Sequence, residues 1–313
     1  MALLQIKDLK VHYPIRGGLL KRTVGHVKAV DGLSIDIEAG KTYGLVGESG
    51  CGKSTTGRAI LGLTKSTSGD ISFEGQDLKQ LMHQNRHPLR RDIQMIFQDP
   101  YSSLNPKKRV LDIIAEPLRN FEKMTKKEEQ LYVQDILEKV GMNPNVIYKY
   151  PHEFSGGQRQ RIGIARSLTL KPKLIIADEP VSALDVSVQA QVLNFMKEIQ
   201  ETFQLTYLFI SHDLGIVRHM CDEIGIMFRG RLVESGVAED VYEHPEHIYT
   251  QRLIAAIPNI DPKKREQQHL LRQNTLKAFE TRQGEFFDQE GLPYPLKQVS
   301  ESHYVALPQG GGY

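Results

Sequence analysis

The residues Gly47-Glu48-Ser49-Gly50-Cys51-Gly52-Lys53-Ser54-Thr55 have the types and spacing G-x-x-x-x-G-K-[ST] of a phosphate-binding loop. Its glycines let backbone N–H groups turn inward around a triphosphate, and a helix that starts at the loop adds the positive end of its dipole. Lys53 can reach the β- and γ-phosphates, and the Ser54 hydroxyl can bind Mg²⁺. Cys51 reads as a small filler inside the loop rather than a redox-active thiol. A second group is Leu174-Ile175-Ile176-Ala177-Asp178-Glu179-Pro180, an apolar run ending in adjacent carboxylates. Strand ends in α/β sheets face the ligand crevice. Asp178 is therefore placed to hold Mg²⁺, and Glu179 to accept a proton from an attacking water or orient it. The third group is Phe154-Ser155-Gly156-Gly157-Gln158-Arg159-Gln160-Arg161. Its S-x-x-Q spacing is a capping box that opens a helix, and the bare N–H groups of two glycines at that start form a second anion site. Two phosphate-binding elements so far apart in the chain point to a composite site. Phosphoryl transfer to water, which depends on positioning and charge stabilisation, is the chemistry these groups can support.

The elements that must position these residues follow from the periodicity. Residues 3–12 and 27–38 read as strands, joined by a loop with Pro14, Gly17 and Gly18 and the basic Arg16, Lys21 and Arg22. Leu45 and Val46 end a buried strand before the phosphate loop, and residues 56–63 suit the helix after it. Residues 70–74 and 93–97 read as further short strands. Residues 108–140 turn helical, with apolar positions at Val110, Ile113, Ile114 and Leu118, then Leu131, Ile136, Leu137 and Val140. Lys171-Pro172 breaks the helix that starts near Gly156. The continuous apolar run at 174–177 suits a parallel strand buried on both faces. A helix at 187–202 and strands at 205–210, 223–228 and 231–235 follow. Alternating strands and helices predict an α/β fold with a mostly parallel sheet. The stretch 99–171, poor in strand signal, reads as an inserted helical subdomain. Past Pro258 the chain turns polar through Lys263-Lys264-Arg265 and ends in Gly310-Gly311-Gly312, which reads as an appended tail, helical near 262–280 and partly disordered.

Composition narrows the class. With 40 Lys and Arg against 38 Asp and Glu, the net charge of +2 makes no general electrostatic case for nucleic acid. No apolar run approaches the ~18–20 residues that cross a membrane, and the first residues lack a signal-peptide pattern. The 2 cysteines, Cys51 and Cys221, make neither a disulfide framework nor a metal cluster, which fits a reduced, cytoplasmic setting.

Ser155-Gly156-Gly157-Gln158 resembles the signature sequence of ATP-binding cassette proteins, and other elements of that family fall in order. Gln98, after Gln94-Met95-Ile96-Phe97, resembles the glutamine-loop residue that binds Mg²⁺. Ser182-Ala183-Leu184-Asp185 resembles the aspartate loop at the dimer interface. His212, after Leu208-Phe209-Ile210-Ser211, resembles the switch histidine that contacts the γ-phosphate. Tyr13 stands where the family places an aromatic that stacks on adenine. The resemblance covers residues 4–258. It implies a P-loop NTPase (RecA-like) core with an antiparallel β subdomain, an inserted helical subdomain at about 99–171 and a C-terminal extension at 259–313. It further implies that ATP, with Mg²⁺ on Ser54, Gln98 and Asp178, is held by Tyr13, Gly47, Ser49, Gly50, Cys51, Gly52, Lys53, Ser54, Thr55 and Gln98. Ser155, Gly156, Gly157 and Gln158 would close the site of a partner cassette in trans, with Asp185 at the interface and Glu179 and His212 as the catalytic pair.

Three strings resemble the oligopeptide, dipeptide and nickel importer subfamily: Asp99-Pro100-Tyr101-Ser102-Ser103-Leu104-Asn105-Pro106, the phosphate loop with its lead-in, and His244-Pro245 followed by residues 248–258. Within it, the chain is similar to the F-type ATP-binding subunits. That implies work in a heterodimer with a related D-type ATPase, beside two transmembrane permease subunits, at the cytoplasmic face of the membrane, fed by an extracytoplasmic peptide-binding protein. Dipeptide or nickel import by the same ATPase is the alternative, and a non-transport cassette a further one. Many relatives carry a cysteine cluster in the extension that is associated with an iron–sulfur centre; 259–313 contain no cysteine, so no cluster is expected.

Overall fold

The computed structural model describes residues 2–17, 22–84, 86–99, 103–257 and 265–308. Pro100, Tyr101 and Ser102 of the subfamily string, Lys263 and Lys264, and the terminal glycines lie outside them. Two compact units divide the chain: one holds Glu38–Lys41 and Lys79–Leu208, the other Ala2–Ile37, Thr42–Leu78 and Phe209–Tyr313.

In the second unit, strands Ala2–Gly17 (β1) and Arg22–Glu38 (β2) are neighbours in one sheet, and β1 also pairs antiparallel with Ser68–Phe73. Both strands run further than the expected 3–12 and 27–38, so Pro14, Gly17 and Arg22 lie in strands rather than in a loop. The inward residues Leu4, Ile6, Leu9 and Val11 are buried, whereas the added ends are largely exposed, which is why apolar alternation alone did not extend that far. Thr42–Val46 (β3) is buried at every position and pairs parallel with Glu223–Phe228 (β4). β4 pairs antiparallel with Arg231–Val237 (β5).

The C-terminal segment departs from the tail read from sequence. Arg265–Thr281 is helical, near the expected place, but Leu296–Gln298 and Tyr304–Ala306 are strands, and the latter pairs antiparallel with β5. Phe279, Phe286, Phe287, Val305 and Ala306 are buried. At roughly 1.5–3 kcal/mol per fully buried large apolar side chain, this packing holds 265–308 to the body of the unit as more than a solvated segment.

In the first unit, Ile93–Ile96 pairs parallel with Leu174–Asp178, and everything described between them is helix, turn or loop: Val110–Phe121, Lys126–Lys139, two 3₁₀ turns and Gly156–Leu168. Leu174, Ile175, Ile176 and Ala177 are each 0% exposed, as a strand covered on both faces requires. Val186–Phe203 follows, and the division between the units falls inside the strand Thr206–Ser211. No helix among the described residues is long and apolar enough to cross a membrane.

Candidate functional site

The candidate residues fall into two sets, one in each unit. Tyr13, the phosphate loop and His212 belong to the second unit; Gln98, Ser155 to Gln158, Asp178, Glu179 and Asp185 belong to the first.

The phosphate loop runs from β3 into the helix Lys53–Ile60. Gly52 caps that helix with φ 115° and no side-chain cap hydrogen bond. A Cβ at Gly52 would stand 2.1 Å from the Ala29 carbonyl oxygen, so only glycine lets the loop lie against that backbone. No acidic side chain sits in the helix's first turn, leaving its positive end for an anion. Lys53 is buried, and its Nζ donates to the Gly47 carbonyl at 2.7 Å and the Glu48 carbonyl at 3.0 Å. An ammonium taken from water needs such acceptors, and the same reach lets it exchange carbonyls for phosphate oxygens. Cys51 is buried beside it; burial pushes its thiol up, and the Lys53 ammonium offsets part of that. A protonated, enclosed thiol suits the filler role. Ser54 and Thr55 are half-buried in the first turn, while Ser49 and Gly50 are exposed at the loop's crest. Tyr13 is exposed on β1, and no contact ties it to the loop in the described geometry. His212 is exposed just after Thr206–Ser211, in a turn where Ser211 Oγ accepts from Asp213 N at 3.0 Å and Asp213 Oδ1 caps Leu214–Met220 through Gly215 N at 2.8 Å.

In the first unit, Asp178 ends its strand 3% exposed, and Glu179 follows half-buried with φ 47°, a left-handed backbone that carboxylate residues adopt at some cost. The turn is held by Ser182, whose N and Oγ both donate to the Glu179 carbonyl, at 3.3 and 3.1 Å. Gln98 Nε2 donates to Glu179 Oε2 at 2.9 Å, joining two candidates 81 residues apart. That bond spends the amide nitrogen on the carboxylate and turns its oxygen, the end able to bind a cation, the other way. The Asp178 carboxylate and the Gln98 amide oxygen are both hard-oxygen donors of the kind Mg²⁺ takes.

Ser155 Oγ accepts from Gln158 N at 3.4 Å and Gln158 Oε1 from Ser155 N at 3.1 Å, the expected box at the start of Gly156–Leu168. The box leaves the Gly156 and Gly157 N–H groups at the helix tip, where helices lack internal partners. A Cβ at Gly157 would meet Val188 Cγ1 at 2.5 Å, so the tip lies close against the helix that Asp185 opens. The Asp185 side chain is exposed and makes no cap hydrogen bond, which leaves it turned to solvent beside Val186, 82% exposed.

Some functional neighbours were not singled out from sequence. Gln189 Nε2 donates to the Val181 and Leu184 carbonyls, both at 3.0 Å, bracing the turn that leads to Asp185. Tyr249 Oη accepts from Glu48 N at 3.2 Å, and Arg252 pairs with the Glu48 carboxylate. The subfamily string at 248–258 contains both residues, but their partner Glu48 lies 201 and 204 residues away, a pairing that no local spacing records.

Two family models match: "ABC transporter" over residues 30–182, and "Oligopeptide/dipeptide transporter, C-terminal region" over residues 233–289. The chain is 52% identical to the oligopeptide transport ATP-binding protein OppF of Lactococcus lactis subsp. lactis, over 99% of this chain and 97% of that one. It is 54% identical to the oligopeptide transport ATP-binding protein AppF of Bacillus subtilis, over 82% of this chain and 78% of that one. Among solved structures, the dimeric post-hydrolysis state of the ATP-binding cassette MJ0796 bound to ADP and Pi superposes with TM-score 0.66 at 25% identity, covering 75% of this chain and 98% of that one.

Proposed function

The chain belongs to the ATP-binding cassette transporter family, and from that premise we propose that it is the ATP-hydrolysing subunit of an oligopeptide importer. As an ATPase of this family it uses ATP to drive transport. The phosphate loop and Lys53 neutralise charge on the bound triphosphate; Glu179 takes up a proton from water, and His212 organises the γ-phosphate end. Ser54, Asp178 and the Gln98 amide oxygen would hold Mg²⁺, which would supply neutralisation of phosphate charge. The observation that carries the hydrolytic reading is the 2.9 Å hydrogen bond from Gln98 to Glu179 beside the buried Asp178.

In this reading the site is completed across a dimer. The Gly156–Gly157 helix tip of each cassette meets the γ-phosphate held by the other, with Asp185 between them, and Tyr13 stacks on adenine. ATP joins the cassettes and hydrolysis releases them. The partner is a related D-type ATPase, the pair works at the cytoplasmic face beneath two permease subunits, and an extracytoplasmic binding protein delivers peptide. Residues 1–258 form the cassette, with its helical subdomain at about 99–171, and 259–313 the extension. The match of the oligopeptide/dipeptide C-terminal model supports the cargo class. The test is ATP hydrolysis by the complex reconstituted in vesicles. Peptide-loaded binding protein is expected to stimulate it severalfold; hydrolysis indifferent to peptide would refute the cargo assignment.

A further inference from the structure

The Gly47–Glu48 peptide is gripped from both sides. Its carbonyl accepts from Lys53 Nζ at 2.7 Å, and its N–H donates to Tyr249 Oη at 3.2 Å. A trans peptide is planar, with C=O and N–H on opposite edges, so fixing one fixes the direction of the other. Tyr249 is itself immobilised. It is fully buried, with rings of Phe228 and Phe279 at 4.7 and 6.3 Å. The Arg252 guanidinium lies over Tyr249 at 5.1 Å and over Phe279 at 4.4 Å while pairing with the Glu48 carboxylate. Phe279 belongs to the helix Arg265–Thr281, beyond the cassette motifs, whose Arg272 also donates to the Ala255 and Ala256 carbonyls at 3.0 and 2.8 Å. A chain of contacts therefore runs from the C-terminal segment to the lysine of the phosphate loop.

We propose that Tyr249 is a positioning residue for Lys53, and that through Arg252 and Phe279 the C-terminal segment sets how strongly this chain holds the phosphates of its nucleotide. The proposal rests on the assignment of Lys53 to the phosphates. Tyr249 acts at one remove: its hydroxyl keeps the Gly47–Glu48 peptide from rotating, so Lys53 stays poised at the loop rather than following a displaced carbonyl. Arg252 and the phenylalanine ring beneath it keep that hydroxyl in place. Without the hydroxyl, the peptide N–H loses its acceptor inside the fold, and turning to find another would carry the carbonyl and Lys53 away.

The experiment is a double-mutant cycle on the full chain, reading equilibrium binding of ATP and of ADP, with Tyr249→Phe, Lys53→Ala and the pair. Tyr249→Phe keeps the ring in its aromatic cage and is expected to weaken ATP binding about three- to tenfold, the range for one lost hydrogen bond. In the Lys53→Ala background it is expected to weaken binding less than twofold, because the lysine it positions is gone. A role confined to stability would instead lower the melting temperature with ATP affinity intact. Unchanged affinity in Tyr249→Phe, or full additivity of the two losses, overturns the proposal. Should Lys53→Ala bind ATP normally, the assignment of the phosphate loop falls, and the proposal with it. If Tyr249→Phe does not fold, Phe279→Leu serves in its place. It removes the ring beneath Arg252, and at least a twofold loss confined to the Lys53 background is expected; unchanged affinity or full additivity in that cycle overturns the proposal equally.

Discussion

Glu179→Gln separates the positioning role of this residue from its proton-accepting role. The change preserves shape, and an amide oxygen at 179 can still accept from Gln98 Nε2 across the present 2.9 Å. The Ser182 contacts to the residue 179 carbonyl are backbone-directed and survive. What is lost is charge. A hydrogen bond to a carboxylate contributes about 1.5–3 kcal/mol and a neutral one about 0.5–1.5, so the variant costs about 1 kcal/mol in the folded chain. The proton acceptor is lost outright, and a positioned general base contributes ~10²–10⁴ in rate. Turnover should accordingly fall by that factor, which is about 3–5 kcal/mol in barrier height. Equilibrium ATP binding, which draws on the phosphate loop, should stay within about threefold of the parent. The assay pairs ATP binding to the purified chain with phosphate release by the assembled transporter at saturating ATP. A variant that turns over within tenfold of the parent would refute the assignment of Glu179 as the base; one that loses ATP binding as well would show that the residue supports the nucleotide site rather than the chemistry.

Other expectations follow from the same geometry. Ser155→Ala removes one half of the capping box and should cost about 1 kcal/mol of stability, read from urea unfolding, while lowering turnover in the assembled dimer; unchanged stability and turnover would argue against both roles. His247 is 0% exposed, with Nδ1 accepting from Tyr249 N at 3.1 Å, and burial holds its ring down to about 3, so it stays neutral in the fold but gains a proton on unfolding below about 6.5. Its contribution to stability is intact above that value and lost as pH falls towards 3, at up to about 1.4 kcal/mol per pH unit. His303 has the opposite sign: the hydrogen bond to buried Glu234 at 2.7 Å raises it, so its contribution is full below about 6.5 and lost as pH rises through its folded value. His247→Asn keeps a side chain able to cap the helix Ile248–Ala255, and should flatten the acid limb of stability against pH without flattening the alkaline one; an unchanged acid slope would contradict the assignment.

Much of the site was legible in one dimension because its parts are local. The phosphate loop depends on glycines and a lysine within a few positions, the capping box on residues three apart, and the strand Leu174–Asp178 on an unbroken apolar run, all of which short-range backbone geometry sets. Only tertiary structure decided which distant groups meet. Gln98 and Glu179 join because parallel strands Ile93–Ile96 and Leu174–Asp178 end side by side, a pairing no spacing records. Tyr249 grips a peptide 201 residues away, and Tyr304–Ala306 becomes a strand because β5 offers it an edge; at 3 residues it is too short to show an alternation of its own. Hydrogen bonds between neighbours are written in residue order. Those that close long loops exist only once burial has brought their donors and acceptors together, and that is why the chemistry could be read from the chain while the supports around it could not.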